Sequence, residues 1–306
     1  MLVATAPGKV FLSGEYGVLV GAPANVAAVN RWAMARPAKA ELATPEVQLA
    51  AARMAQFLGF DDGSAPEVDV STLAHDGKKL GLGSSAAAAV AAAGAIAIRA
   101  GRTAVTAELR TTILEAAMRG HAEAQGGGSG ADVAAGALGG VVRFVRGEKP
   151  VPAKIGRALH LVVAWTGTSA RSSEFVKRAV AAGIPARLRE SAGAMDAALA
   201  TGDSRQLLDA VILHRNGLQD LADRTGLPMW PQGLRRFMTR ALDMGIPAKP
   251  SGAGGGDLGV AFAPDAAGAE ALRAALFGEG LHVLPLHVVD RGVAFENEAG
   301  DTRSPS

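Results

Sequence analysis

The 306-residue sequence contains no cysteine. That excludes a disulfide scaffold, a thiolate metal centre and a cysteine nucleophile, and it suits a reducing compartment. Aromatic residues are scarce, 4% of the chain, so platforms for stacking nucleic-acid bases are few. No excess of one charge stands out: 31 Lys and Arg face 29 Asp and Glu, and the basic residues are dispersed. No nucleic-acid partner is expected from this pattern. Long apolar runs are also missing. The most apolar stretch, Ala86–Ile98, falls short of the ~20 residues that a membrane-crossing helix needs. It is mostly alanine, which suits a closely packed buried helix. The first residues show no charged segment leading into an apolar one, so no signal peptide is expected. The reading is a soluble, cytoplasmic protein without a membrane partner.

With 49% hydrophobic residues the chain is too apolar to be disordered, and its length suits about two domains. Periodicity predicts strands at Leu2–Thr5 and Lys9–Leu12, broken by Pro7 and Gly8. Extended segments are also predicted at Gly17–Val20, Asn25–Val29, Glu67–Val70, Leu138–Val145, Leu159–Trp165, Gly259–Ala263 and His282–Val288. Helices are predicted at Thr44–Leu58, Ser84–Ala100, Ala107–Arg119, Pro185–Leu199, Ser204–Ala222, Pro231–Met244 and Ala266–Phe277. Thr44 reads as an N-cap with Pro45 at the first helical position. A composition shift over Gly147–Lys154 suggests a linker, giving domains 1–150 and 151–306. The polar tail Glu298–Ser306 is expected to fray.

Glycine, by contrast, is abundant: 39 residues, about 13% against an average near 7%. The glycines gather in three segments. The first runs from Ala6-Pro7-Gly8-Lys9 to Gly14-Glu15-Tyr16. The second is Lys79-Leu80-Gly81-Leu82-Gly83-Ser84-Ser85-Ala86. The third is Pro250-Ser251-Gly252-Ala253-Gly254-Gly255-Gly256-Asp257-Leu258-Gly259. The second segment feeds directly into a helix. Its glycines let successive N–H groups face one concavity, and the helix N-terminus attracts anions. Two serines add hydroxyls and Lys79 a mobile charge, so the loop is either a phosphate cradle or a tightly packed helix cap. A Walker A loop is excluded, because no Gly-Lys pair is followed by Ser or Thr. A dinucleotide fingerprint fails as well: His75–Lys79 is too polar for a buried strand, and no acidic residue stands near position 101.

Together the three segments resemble the three motifs of the GHMP small-molecule kinases, in the family's order and across most of the chain. The resemblance implies an α+β, two-domain GHMP kinase-like fold. Its N-terminal part would be ribosomal S5 domain-2-like, its C-terminal part ferredoxin-like, and the site would lie in the cleft between them. It implies ATP as phosphoryl donor and Mg2+ as cofactor. Lys9 would be the active-site lysine. Asp132, in Ser129-Gly130-Ala131-Asp132, would be the catalytic aspartate. Taken alone, these two would read as an exposed lysine at a strand start and an Asx turn. Lys79, Gly81, Leu82, Gly83, Ser84, Ser85 and Ala86 would hold the nucleotide, with Ser84 or Ser85 on the metal. Glu15, Tyr16, Ser129, Gly130, Arg171, Ser172, Ser251, Gly252, Ala253, Gly254 and Asp257 would meet the substrate.

Within the family, Gly14-Glu15-Tyr16, Lys79 before the phosphate loop and Gly256-Asp257 resemble the phosphomevalonate kinase branch, which implies phosphorylated mevalonate as substrate. The glutamate that mevalonate kinases carry eleven residues before the catalytic aspartate is His121 here. The run His121-Ala122-Glu123-Ala124-Gln125-Gly126 is again similar to that branch, and Glu123 reads as a solvent-facing helix residue. The Arg171-Ser172 segment matches only loosely. Mevalonate kinase, another family member, or a ligand-binding member without catalysis remain the alternatives, and the protein is expected to be a monomer or homodimer.

Overall fold

A computed structural model of the protein describes residues 1–153, 155–156, 160–169 and 172–298. The fold is α+β, built on two antiparallel sheets. The strands of the first half are β1 (Leu2–Ser13), β2 (Ala24–Lys39), β3 (Pro66–Asp69), β4 (Ala74–His75), β5 (Lys78–Lys79), β6 (Val141–Phe144) and β7 (Val151–Pro152). Those of the second half are β8 (His160–Trp165), β9 (Ala248–Ser251), β10 (Leu258–Ala263), β11 (His282–Leu284) and β12 (Ala294–Asn297). The first sheet runs β12-β1-β2-β6-β7 with β3 also on β2; the second runs β11-β8-β10-β9; β4 and β5 form a hairpin.

Pro7 and Gly8 do not break the first strand as expected. β1 continues through them, and its pairing with β2 shifts register between Pro7 and Gly8. Such a bulge is where a sheet tolerates a residue without an N–H donor. Gly17–Val20 is not extended but a single 3-10 turn, entered through Gly14 and Tyr16 at positive φ. β2 is far longer than Asn25–Val29, because it pairs with β1, β3 and β6 in turn.

The helices are α1 (Pro45–Leu58), α2 (Ser84–Arg99), α3 (Ala107–Gln125), α4 (Ala131–Leu138), α5 (Ser172–Ala182), α6 (Ala186–Thr201), α7 (Ser204–Thr225), α8 (Gln232–Asp243) and α9 (Ala266–Gly278). α4 and α5 escaped the sequence reading. Thr44 sits at the N-cap of α1 with extended backbone, but its side chain makes no capping bond. α2 is buried on every side from Ala86 to Ala97. A helix apolar all round belongs inside, and its alanines let it lie against β1 and β2. α6 and α7 pack together, α6 against β1 and β2 and α7 against β9, while α8 and α9 cover the second sheet.

One hydrophobic core crosses from the first sheet to the second, joining Val10, Val29 and Phe144 to Val163, Val260 and Phe262. The last strand, β12, returns to pair with β1. A division at residue 150 therefore separates most strands of the two sheets, but not β7 and β12, which lie beyond it and belong to the first sheet.

Candidate active site

A cavity of about 780 Å³ opens where β1, the start of α2, the α3–α4 connection and the β9–β10 loop meet. Lys9 enters it from β1. The side chain is buried, and Nζ donates to the Gly81 carbonyl at 2.9 Å, while its backbone N–H donates to Leu82 O at 2.8 Å. Burial lowers the Lys9 pKa; the charge of Asp132, then those of Asp257 and Glu15, oppose the shift. These carboxylates favour the ammonium form inside a desolvated wall.

Two glycines are dictated by this packing. Gly83 has φ +74°, and a Cβ there would stand 2.8 Å from Lys9 Cγ. Gly81 has φ +79°, and a Cβ there would stand 2.4 Å from Asp257 Cβ. The second glycine-rich segment therefore touches the first through Lys9 and the third through Asp257. Beyond Gly83, α2 begins at Ser84, so its unpaired N–H groups and the hydroxyls of Ser84 and Ser85 stand at the cavity wall. Ser85 Oγ is held 3.2 Å from His121 Nε2 and accepts from Gln125 Nε2 at 3.2 Å. His121 and Gln125 lie four apart on α3, hence on one face. Glu123 points elsewhere, to an exposed ion pair with Arg53 at 2.7 Å.

Asp132 is the second residue of α4 and lines the cavity. Its Oδ1 accepts the Val133 N–H at 3.0 Å, and the helix N-terminus favours its negative charge. Ser129 and Gly130 lead into the same turn, with Ser129 Oγ accepting the Ala131 N–H at 3.3 Å.

The third segment is tied to the first from behind. Tyr16 Oη donates to Ala253 O at 2.5 Å, and burial together with Glu15 raises its pKa. Ser251 Oγ accepts the Phe11 N–H at 2.9 Å. Glu15 Oε1 accepts from Lys249 Nζ, and from the Gly252 N–H at 3.4 Å. Glu15 Oε2 has no hydrogen bond among the described residues and faces His214 Nε2 at 3.6 Å. His214 is fully buried, and burial, assisted by Lys249 and resisted by Glu15, pushes its pKa down to about 4. Burial also lowers the pKa of Lys249, against the pull of Glu15.

Of the residues expected to act, the structure brings Lys9, Glu15, Tyr16, Lys79, Gly81, Gly83, Ser84, Ser85, Ser129, Gly130, Asp132, Ser172, Ser251, Gly252, Ala253 and Asp257 to one cavity. Leu82 and Ala86 are buried in the core instead, and Gly254 backs onto Met229. Arg171 lies outside the described residues. Among the described residues no three His, Cys, Asp or Glu side chains converge in a metal-holding group. No helix among them is long and apolar enough to cross a membrane.

Residues 46–140 match the family model of the GHMP kinases N terminal domain. The phosphomevalonate kinase of Streptomyces sp. strain CL190 is 28% identical, over 93% of this chain and 96% of that protein. The stretch matched by the family model holds the second glycine-rich segment and Asp132. The mevalonate kinase of Thermococcus gammatolerans is 30% identical, over 57% of this chain and 60% of that protein. Among solved structures, Streptococcus pneumoniae phosphomevalonate kinase in complex with phosphomevalonate and AMPPNP shares the fold. Its TM-score is 0.80 at 21% identity, over 94% of this chain and 100% of that one.

Lys177, Glu46 and Glu174, which the sequence does not single out, also line the cavity. Lys177 lies on α5 one turn beyond Ser173, and a Cβ on Gly126 would be 3.8 Å from its Nζ. The i,i+4 spacing from Ser173 carried that information, but α5 itself went unread. Lys249 and His214 were missed because their partner, Glu15, is more than 190 residues away in the chain.

Proposed function

We propose that this chain transfers the γ-phosphoryl group of ATP to the phosphate of 5-phosphomevalonate, giving ADP and 5-diphosphomevalonate. The supporting observation is the near full-length similarity to a phosphomevalonate kinase, within a fold whose cavity gathers Lys9, Asp132 and the start of α2. Phosphoryl transfer depends chiefly on positioning and on neutralising charge. The N–H groups of Gly83–Ser85 would receive the donor phosphates. Lys9, held by the Gly81 carbonyl, would carry positive charge to the point between donor and acceptor. Lys79 and Lys177 are further cations of the same cavity, suited to a doubly charged acceptor. The loop at residues 251–257 would close over the acceptor, with Tyr16 and Glu15 fixing its stem.

Mg2+ takes oxygen ligands and is typically held by one or two protein groups plus the substrate phosphates. The cavity fits that demand: hydroxyl and carboxylate oxygens line it, without a cage of acidic side chains. Ser84 and Ser85 would hold the ion, which would supply neutralisation of phosphate charge. Asp132 then has no obligatory proton to remove, since the acceptor phosphate, with a second pKa near 6, is largely deprotonated at pH 7. It would instead steady the Lys9 ammonium.

Mevalonate as acceptor is the second reading, favoured by the Thermococcus similarity and by a carboxylate placed to take an alcohol proton. ADP formation with Mg-ATP and a panel of 5-phosphomevalonate, mevalonate, homoserine and galactose tests both. The expected result is turnover on 5-phosphomevalonate and little on the rest. A kcat/KM on mevalonate that equals or exceeds it would overturn the proposal.

A further inference from the structure

Beside the β4–β5 hairpin lies a second depression, of about 300 Å³. It is separated from the main cavity by a wall one residue thick: Lys79 and Gly81 line the cavity, and Leu80 between them lines the depression. Its polar lining comes from distant parts of the chain, Arg31 of β2, Ser71 and Thr72 of the turn before β4, His75 of β4 and His282 of β11. None of these residues belongs to the three glycine-rich segments.

Arg31 Nε is buried there and has no hydrogen-bond partner among the described residues. A buried donor of a charged group left without an acceptor is costly, and such groups are nearly always satisfied. Beside it the rings of His75 and His282 stack, with centroids 4.3 Å apart and planes 27° from parallel. The His75 ring meets the edge of Trp165, which pairs with His282 across β8 and β11. Burial lowers the His282 pKa, with further lowering by His75 and Arg31 and opposition from Asp76. The acidic groups close by are Asp69, which accepts the Ser71 N–H, and Asp76, solvent-exposed and 3.6 Å from His75 Nε2. Lys78 pairs with His75 across the hairpin. Thr72 Oγ1 is committed to the Trp32 backbone and fixes the rim.

The unused Nε donor of Arg31, two imidazoles and the Ser71 hydroxyl converge on the depression, while the Asp76 carboxylate is solvent-exposed and not part of its lining. A tetrahedral oxyanion supplies what they lack: oxygens for the Arg31 fork and negative charge for the paired rings. We propose that this depression is a second anion-binding site, taking a phosphate or diphosphate group of a small molecule. It is built by the β2, β4 and β11 residues rather than by the glycine loops. The site is independent of which acceptor the main cavity phosphorylates.

Histidine side-chain NMR on the intact protein tests it, with inorganic phosphate and inorganic diphosphate as separate probes. The chain has six histidines, and His75→Gln and His282→Gln assign the two reporters. His121 reports the main cavity in the same spectra. The expected result is a saturable shift of His75 and His282, with their apparent pKa raised by about one unit, as for a neighbouring opposite charge. Comparison of the two probes decides between a phosphate and a diphosphate site. In Arg31→Met, folded by circular dichroism, the His75 and His282 response should be lost while His121 still responds. Arg31→Lys keeps the charge but not the fork, and should weaken binding at least tenfold. The proposal fails if His75 and His282 stay unmoved, if sodium chloride at equal ionic strength gives the same shifts, or if both Arg31 variants bind as tightly as the parent.

Discussion

Two lysines stand near the floor of the cavity, and their surroundings differ. Lys249 lies in a closed socket behind the wall. Its ammonium donates to Glu15, to Pro250 O at 2.9 Å and to Phe11 O at 3.3 Å, and no part of the residue reaches solvent. Lys9 is also desolvated, yet among the described residues Nζ makes one hydrogen bond, to Gly81 O, and the side chain lines the cavity. An ammonium has three donors. Lys249 uses all three on the protein, so its charge is committed to joining the first and third glycine-rich segments. Lys9 uses one on the described residues, which leaves the proposed ligand the rest. Two lysines alike in burial thus differ in how many donors the protein itself uses.

The largest expected effect tests the socket. Lys249→Met would leave the buried Glu15 carboxylate without its cation, a change that typically costs about 3–5 kcal/mol. Urea unfolding should show it as a fall in midpoint at unchanged slope. A loss below ~1 kcal/mol would mean that Glu15 does not need the pair. Lys9→Met tests the other side of the comparison. It should leave the unfolding midpoint nearly in place and lower kcat by about 10²–10³, the usual cost of removing one preorganised electrostatic contact. Wild-type turnover would show that its spare donors are not used.

Next in size is a pH effect confined to the socket. The His214 pKa is pushed down to about 4 by burial, against an ordinary value of 6.5. The unfolded chain therefore binds a proton between these values that the folded chain refuses. The contribution is fully present above pH 6.5 and is lost as pH falls from 6.5 toward 4. At pH 5 the loss from this residue is about 2 kcal/mol, at 1.36 kcal/mol per unit. Comparing unfolding midpoints at pH 7 and pH 5 should show a steeper decline for the parent than for His214→Gln. Equal slopes would place the proton elsewhere.

The same comparison marks how far the sequence could be read. Gly81, Gly83 and the serines after them were legible because a glycine turn running into a helix N-terminus is a local feature, complete within eight residues. Lys9 and Asp132 were singled out by family resemblance; alone, each fits an ordinary strand end or turn. The socket was not legible. Lys249 stands before Pro250 and Ser251 as an unremarkable basic residue, and only the topology brings it to Glu15. Gly17–Val20 has the composition of a strand, but the positive φ of Tyr16 turns the chain there. Pro7 looked like a strand end because the register shift that accommodates it depends on β2. The helix α4 was hidden in a glycine-rich run whose capping residue, Gly130, resembles a loop.

The smallest expected effect distinguishes the two acceptors and sharpens the role of Lys9. Asp132 makes the largest of the carboxylate contributions that favour the Lys9 ammonium. With a phosphate acceptor no proton has to be removed in the transition state. Asp132→Asn, which keeps the side chain's shape and an oxygen for the Val133 N–H, should then cost roughly tenfold or less. With an alcohol acceptor the same change removes a general base and should cost about 10²–10⁴. The proton inventory differs in the same way: the phosphate reaction should show no carboxylate limb in its pH–rate profile, whereas the alcohol reaction should. If the two groups act as a pair, Asp132→Asn in the Lys9→Met background should add almost nothing, because the charge it supports is already gone. A full additional loss in the double variant would separate Asp132 from Lys9 and give the carboxylate a role of its own at the acceptor.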